Sequence, residues 1–160
     1  LSFDKGCITT SAIPGWNAGA EIQGNFKSFG IWTGVTYMDS RSSYPDAADL
    51  YGSTKGSYRR QELMVPVNFV LHTPRSITGG MYIGIGGYWS KALSTEISGI
   101  GALPASLTGD TFGWDFICGF QFGRIALDIR AFDDFGSIFS GKDAPSVSRS
   151  GSSVNLKYIF

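Results

Sequence analysis

Apolar and polar residues alternate along most of this chain with a period of two, the period of a β-strand whose two faces differ. The stretch FGWDFICGFQF carries the pattern most fully. Phe112, Trp114, Phe116, Cys118, Phe120 and Phe122 fall on one face; Gly113, Asp115, Ile117, Gly119 and Gln121 fall on the other. WNAGAEIQGNF sets Trp16, Ala18, Ala20, Ile22 and Phe26 against Asn17, Gly19, Glu21, Gln23 and Asn25. FGIWTGVTY, ELMVPVNFVL, MYIGIGGYW and IALDIRAF repeat the split. So does the closing GSSVNLKYIF, where Val154, Leu156, Tyr158 and Phe160 alternate with Ser153, Asn155, Lys157 and Ile159. These segments predict seven strands. Residues 2–10, SFDKGCITT, give a weaker eighth whose alternation selects no face.

The connections alternate in length. Lys27–Ser28 and Gly123–Arg124 are two-residue links, and Gly at the first central position suits a type II′ hairpin. HTPRSITGG is modest, whereas residues 39–58, 92–111 and 133–150 are long and rich in Ser, Gly, Asp and Pro. An up-and-down barrel produces this alternation, with tight turns at one end and long loops at the other. Only SAIPG, on the long-loop side, is short.

The two faces decide the solvent. A soluble barrel keeps its apolar face inside and a charged one outside. Here the apolar face is bulky and aromatic, while the opposite face mixes glycine with Glu21, Gln23, Asn25, Asn68, Asp115, Asp128, Arg130 and Lys157. The interior of an eight-stranded barrel takes only side chains that interlock, so glycine and paired charges fit where a row of aromatics does not. Inverted polarity suits lipid, and hydrocarbon does not tolerate an open sheet edge. The expected fold is all-β: an eight-stranded antiparallel up-and-down transmembrane β-barrel, one domain over residues 1–160. A soluble, lipocalin-like ligand-binding barrel is the alternative.

Composition narrows the partners. Thirteen basic residues balance thirteen acidic ones, which removes the electrostatic case for nucleic acid. Twenty-two glycines argue against a helical protein. Cys7 and Cys118 have no metal-ligand spacing and allow one pairing at most, and no cofactor motif is found. No run approaches the roughly 18 to 20 apolar residues of a transmembrane helix, but a crossing strand needs only about 9 to 11. The chain shows no signal peptide, and Leu1 is read as following a cleavage or another cut.

LMVPVNFVL, GGMYIGIGGYW, FGWDFICGFQFG and SVNLKYIF together resemble the small outer-membrane β-barrels of the PorT-like and OmpX-like type, from Trp16 to Phe160. The terminal segment is the most specific: Val154, Leu156, Tyr158 and Phe160 match the C-terminal signal read by the barrel assembly machinery. The resemblance implies the outer membrane of a Gram-negative bacterium, a periplasmic C-terminus and extracellular long loops. It implies no single activity.

The candidate chemistry is modest. Pairing Phe122 with Ile125 sets Ile117 opposite Arg130 and Gly119 opposite Asp128, with Asp115 diagonal to Arg130 and Lys157 one strand on. With Glu21 these charges read as a neutralising network in a filled lumen rather than an ion path. Arg41, Lys55, Arg59, Arg60 and Lys91 lie at the long-loop end, where they would meet lipopolysaccharide phosphates; Asp39, Asp46, Asp49 and Glu96 share that end. His72, the only histidine, falls at the tight-turn end, the wrong place for a hydrolase of the outer leaflet. Asp133 and Asp134 read as a solvated loop edge, and Cys118 as a small outward filler. The expected role is a non-enzymatic structural or binding barrel. Its partners would be outer-membrane lipid and, if its aromatic strands pack on another barrel, a larger envelope complex. A lipid-modifying barrel enzyme is the second reading.

Overall fold

The computed structural model describes residues 2–3, 11–44, 56–73, 79–98, 106–107, 109–136, 139–140 and 147–158. In chain order its strands are β1 (Ser2–Phe3), β2 (Ser11–Phe26), β3 (Phe29–Tyr44), β4 (Gly56–His72), β5 (Gly80–Ser98), β6 (Ser106–Leu107), β7 (Asp110–Phe122), β8 (Ile125–Asp134), β9 (Phe139–Ser140), β10 (Val147–Ser148) and β11 (Ser150–Tyr158). Seven of them form one antiparallel up-and-down sheet in the order β11-β8-β7-β5-β4-β3-β2. These are the seven strands the alternation predicts. The sheet curls so that charged groups of its two edge strands meet: Lys157 of β11 lies 3.1 Å from Glu21 of β2.

Both two-residue turns form as expected. Phe26 pairs with Phe29 around Lys27–Ser28, and Phe122 pairs with Ile125 around Gly123–Arg124. Gly123 takes φ 58°, the left-handed first position that a type II′ turn requires. Lys27 also lies left-handed, at φ 47°, without a glycine's freedom.

The strands outrun their apolar stretches. β3 extends to Tyr44, β4 starts at Gly56, β5 reaches Ser98 and β7 begins at Asp110, so much of the expected loops 39–58 and 92–111 is paired strand. Polar residues on both faces continue the ladder here. Such segments carry no hydrophobic alternation, which is why the pattern stops short of them. Two further pairings join chain segments at this end: Ser106–Leu107 with Phe139–Ser140, and Ser2–Phe3 with Val147–Ser148. Of the segment expected as a weak eighth strand, Ser2–Phe3 lies in a separate two-stranded ladder and does not join the seven-stranded sheet, and residues 4–10 lie outside the described residues. Among the described residues the sheet has seven strands, and β2 and β11 are its free edges.

The pleat sorts the side chains as the sequence requires. β8 alternates strictly: Ile125, Leu127 and Ile129 are exposed while Ala126, Asp128 and Arg130 are buried. β7 does the same, with Thr111, Gly113, Asp115 and Ile117 inward. Outward residues such as Ile22, Phe120, Leu127 and Leu156 form a continuous apolar surface, Leu156 being 77% exposed. The concave side holds two small apolar clusters: Trp32, Val70, Tyr82, Ile117 and Ala126 toward the tight turns, and Met38, Met64, Tyr88 and Phe132 further up. Inward rings face glycines across the strand pair. Tyr82 is the partner of Gly119, Tyr88 of Gly113 and Phe132 of Gly151. A Cβ at Gly119 would lie 2.5 Å from the Tyr82 ring, so only glycine admits that ring without displacement.

Candidate functional site

The expected interior charges come together as one network. Arg130 projects inward from β8 beside Asp115 of β7, 3.3 Å away, and reaches Glu21 of β2 at 3.7 Å. Lys157 of β11 lies 3.1 Å from Glu21 and 2.6 Å from Asp128. Neutral groups complete it: Asn68 donates to Asp115 at 3.1 Å, Tyr82 to Asp128 at 2.8 Å and Asn155 to Asp128 at 2.6 Å. The diagonal of Asp115 and Arg130 across the β7–β8 pair follows from the turn register, as the sequence indicates.

A second network lies nearer the long loops, and the sequence reading missed it. Arg60 bonds Glu62 at 2.9 Å with both side chains fully buried. Arg149 then bridges Glu62 and Asp134, the second at 3.2 Å, and Tyr88 donates to Asp134. Extending the inward phase of Asn68, Pro66 and Met64 upstream would have found Glu62 and Arg60. Nothing in SRSGSS marks Arg149, which precedes the strand by one residue. Two expectations change accordingly. Arg60 faces the concave interior and is not a loop-end contact, because it shares phase with Glu62 and Met64. Asp134 is buried against Arg149 rather than solvated.

Rings stack between the charges. Arg149 sits 5.1 Å above Phe132, Lys157 5.7 Å from Trp32, and Trp32 packs on Tyr82 at 4.7 Å. The concave side is thus occupied by interlocking charge and aromatic layers. Removing one member of a buried pair costs about 3 to 5 kcal/mol, because the partner charge is left without compensation.

The outward rim carries a third cluster. Asp39 continues the outward phase of β3 above Tyr37, and two guanidiniums close on it, Arg59 at 2.7 Å and Arg41 at 3.3 Å. Each uses its Nε and Nη2 atoms on the one carboxylate. The hydrogen bonds from Arg59 and then Arg41 hold the Asp39 carboxyl well below the usual carboxylate range. Glu96 is the cross-strand partner of Arg59. Of the remaining basic residues expected here, Lys91 is exposed on the outward face of β5, and Lys55 lies outside the described residues.

On β11, Val154, Leu156 and Tyr158 all face outward and are 57–77% exposed; Phe160 lies outside the described residues. Cys118 is exposed on the outward face, and Cys7 is not among the described residues. Among the described residues, His72 shares the turn-end mouth of the concave side with Asn25, Trp32, Thr73, Tyr82 and Gln121. No protein-family profile, curated protein or solved structure matches the chain.

Proposed function

We propose that this chain is the barrel domain of an integral outer-membrane protein of a Gram-negative bacterium, closed by an eighth strand, with a structural or binding role and no catalysis. The observation that carries the reading is the inverted polarity of the sheet. Large apolar side chains lie outward on all seven strands, while Asp115, Asp128, Arg130, Glu62 and Arg60 are buried on the concave side. In water a monomer rarely exposes a contiguous apolar patch above a few hundred Å². In a bilayer that same surface is the favourable one, provided every backbone group is paired by closure.

The filled interior favours an anchor or binding platform over a pore, since layers of ion pairs and rings stack along the axis where a conduit would run. The tight turns would face the periplasm with the C-terminus, and the long connections would face outward. Val154, Leu156 and Tyr158, with Phe160, would then be presented to the barrel assembly machinery. Arg41 and Arg59 sit above the apolar belt, oriented by Asp39, and with Lys91 would meet lipopolysaccharide phosphates; Arg60 has no part in this. Trp16 and Trp114 make the outward face suited to another barrel as well as to lipid, consistent with an accessory place in a larger envelope complex.

Fractionating a Gram-negative host that produces the full-length protein tests the proposal. The protein should be recovered with the outer membrane, need detergent for extraction, migrate faster in electrophoresis before boiling than after, and raise no steady conductance in a planar bilayer. Recovery in detergent-free buffer as a monodisperse monomer would refute it.

A further inference from the structure

The two interior networks differ in their charge balance. Among the described residues the upper one sets Arg60 and Arg149 against Glu62 and Asp134. The lower one sets Arg130 and Lys157 against three carboxyls, Glu21, Asp115 and Asp128. An uncompensated buried charge is strongly unfavourable, so one of the three calls for an explanation.

The donors that reach each carboxyl show which one it is. Asp128 accepts from Tyr82 on one oxygen and from Asn155 on the other, with Lys157 at 2.6 Å. Glu21 accepts from Gln23, and Lys157 reaches both of its oxygens. Asp115 is supplied on one side only. Asn68 Nδ2 donates to its Oδ2 at 3.1 Å, and Arg130 Nε stands 3.3 Å from that same oxygen without the alignment of a hydrogen bond. Asp115 Oδ1 is buried with no donor, and so is Asn68 Oδ1.

The two residues meet across a glycine. Asn68 of β4 pairs with Gly86 of β5, and Gly86 pairs with Asp115 of β7, so all three share one row. A Cβ at Gly86 would lie 2.4 Å from Asn68 Oδ1, so the glycine gives the carboxamide room to lie across β5 toward the carboxyl. Carboxamide and carboxyl are both planar forks. Joined through one prong each, they keep an acceptor oxygen on the other, and two acceptors do not bond each other. One hydrogen satisfies both.

We infer that Asp115 is a proton-binding site: at neutral pH its Oδ1 carries a proton taken up from solvent and donates it to Asn68 Oδ1. Fork then meets fork through two hydrogen bonds, and the lower network becomes balanced, with Glu21 and Asp128 against Arg130 and Lys157. The groups whose charge or dipole bears on Asp115 are Arg130 on β8, Asn68 on β4, Glu21 on β2 and Lys157 on β11. The inference concerns the concave side alone and holds whether lipid or water covers the outer face.

Infrared spectroscopy of the folded protein, in a detergent without carbonyl groups at pH 7, tests it. The carbonyl stretch of a protonated carboxylic acid stands apart from carboxylate and amide absorption. It should be present in the parent, shift on isotopic labelling of the aspartate carboxyl carbons, and vanish in Asp115→Asn, where a second carboxamide supplies the same hydrogen. Asn68→Ala, which removes the acceptor, should displace or abolish the band, and it carries the assignment if Asp115→Asn does not fold. Absence of the band from the labelled parent would overturn the inference. So would a band that persists in folded Asp115→Asn or is unmoved by Asn68→Ala.

Discussion

Introducing a charge at graded heights along one outward row measures what solvates that row. On β8 the outward residues Ile125, Leu127 and Ile129 are 55–57% exposed, so packing within the chain is nearly the same at each. A strand rises about 3.3 Å per residue. Tilted by about 40°, it climbs about 2.5 Å along the barrel axis per residue, so Ile129 stands about 10 Å above Ile125. An apolar belt about 25 Å tall that begins near Ile125 then has its midplane within a few Å of Ile129. Ile129→Arg should therefore cost about 2 to 4 kcal/mol and Ile125→Arg about 0 to 1. Leu127→Arg should fall between. The assay is reversible urea unfolding in phospholipid vesicles, followed by tryptophan fluorescence. In water the three substitutions would be nearly equal, because surface changes at such exposure stay within about 0.5 kcal/mol. Equal small costs at all three positions, or folding without lipid, would refute the reasoning.

Other outcomes follow from the interior and the rim. Arg149→Met should destabilise by about 3 to 5 kcal/mol in the same urea assay, since Glu62 and Asp134 keep their buried charges, and adding Asp134→Asn should recover part of the loss. Gly119→Val should cost about 1 to 3 kcal/mol through its contact with the Tyr82 ring, and the double change with Tyr82→Leu should cost less than the sum, read from a double-mutant cycle. Asp39 has a depressed folded-state pKa, so its contribution is complete above the unfolded value near 4 and disappears as pH falls below that toward the lower folded value. Asp39→Asn should accordingly be less stable than the parent at pH 7, with the difference shrinking toward pH 2; a difference that does not change with pH would contradict the Arg41–Asp39–Arg59 assignment. Lys27→Gly should stabilise by up to about 1 kcal/mol, relieving a left-handed non-glycine residue, and a chevron measurement would register it.

The legible part of this fold lay wherever one face is apolar and the other is not. The β7–β8 hairpin was readable to the residue, because a two-residue turn fixes register and register alone puts Arg130 within reach of Asp115. The contact of Lys157 with Glu21, 136 residues apart in sequence, is readable only as shared inward phase. The upper network was hidden for a physical reason: around Arg60 and Glu62 both faces of β4 are polar, so alternation gives no contrast. The sequence alone therefore places Arg60 at the loop end. Arg149 is the single residue between two strand segments, where alternation does not set its direction. The rim triad is half-visible: Arg41 and Arg59 stand out as basic residues of the long-loop end, but their shared hold on Asp39 depends on β3–β4 register beyond the apolar stretches.

The ring-over-glycine pairs answer a question that alternation leaves open. Sliding β5 by two residues along β7 keeps every apolar side chain on its proper face, so greasiness cannot forbid the slip. It would nonetheless drive Tyr82 onto Ile117 or Gln121 and, at the same moment, Tyr88 onto Thr111 or Asp115. The notches at Gly119 and Gly113 therefore act as the teeth of a key: a newly arriving hairpin seats at one offset or jams, and strand addition can be proofread by shape before any ion pair has formed.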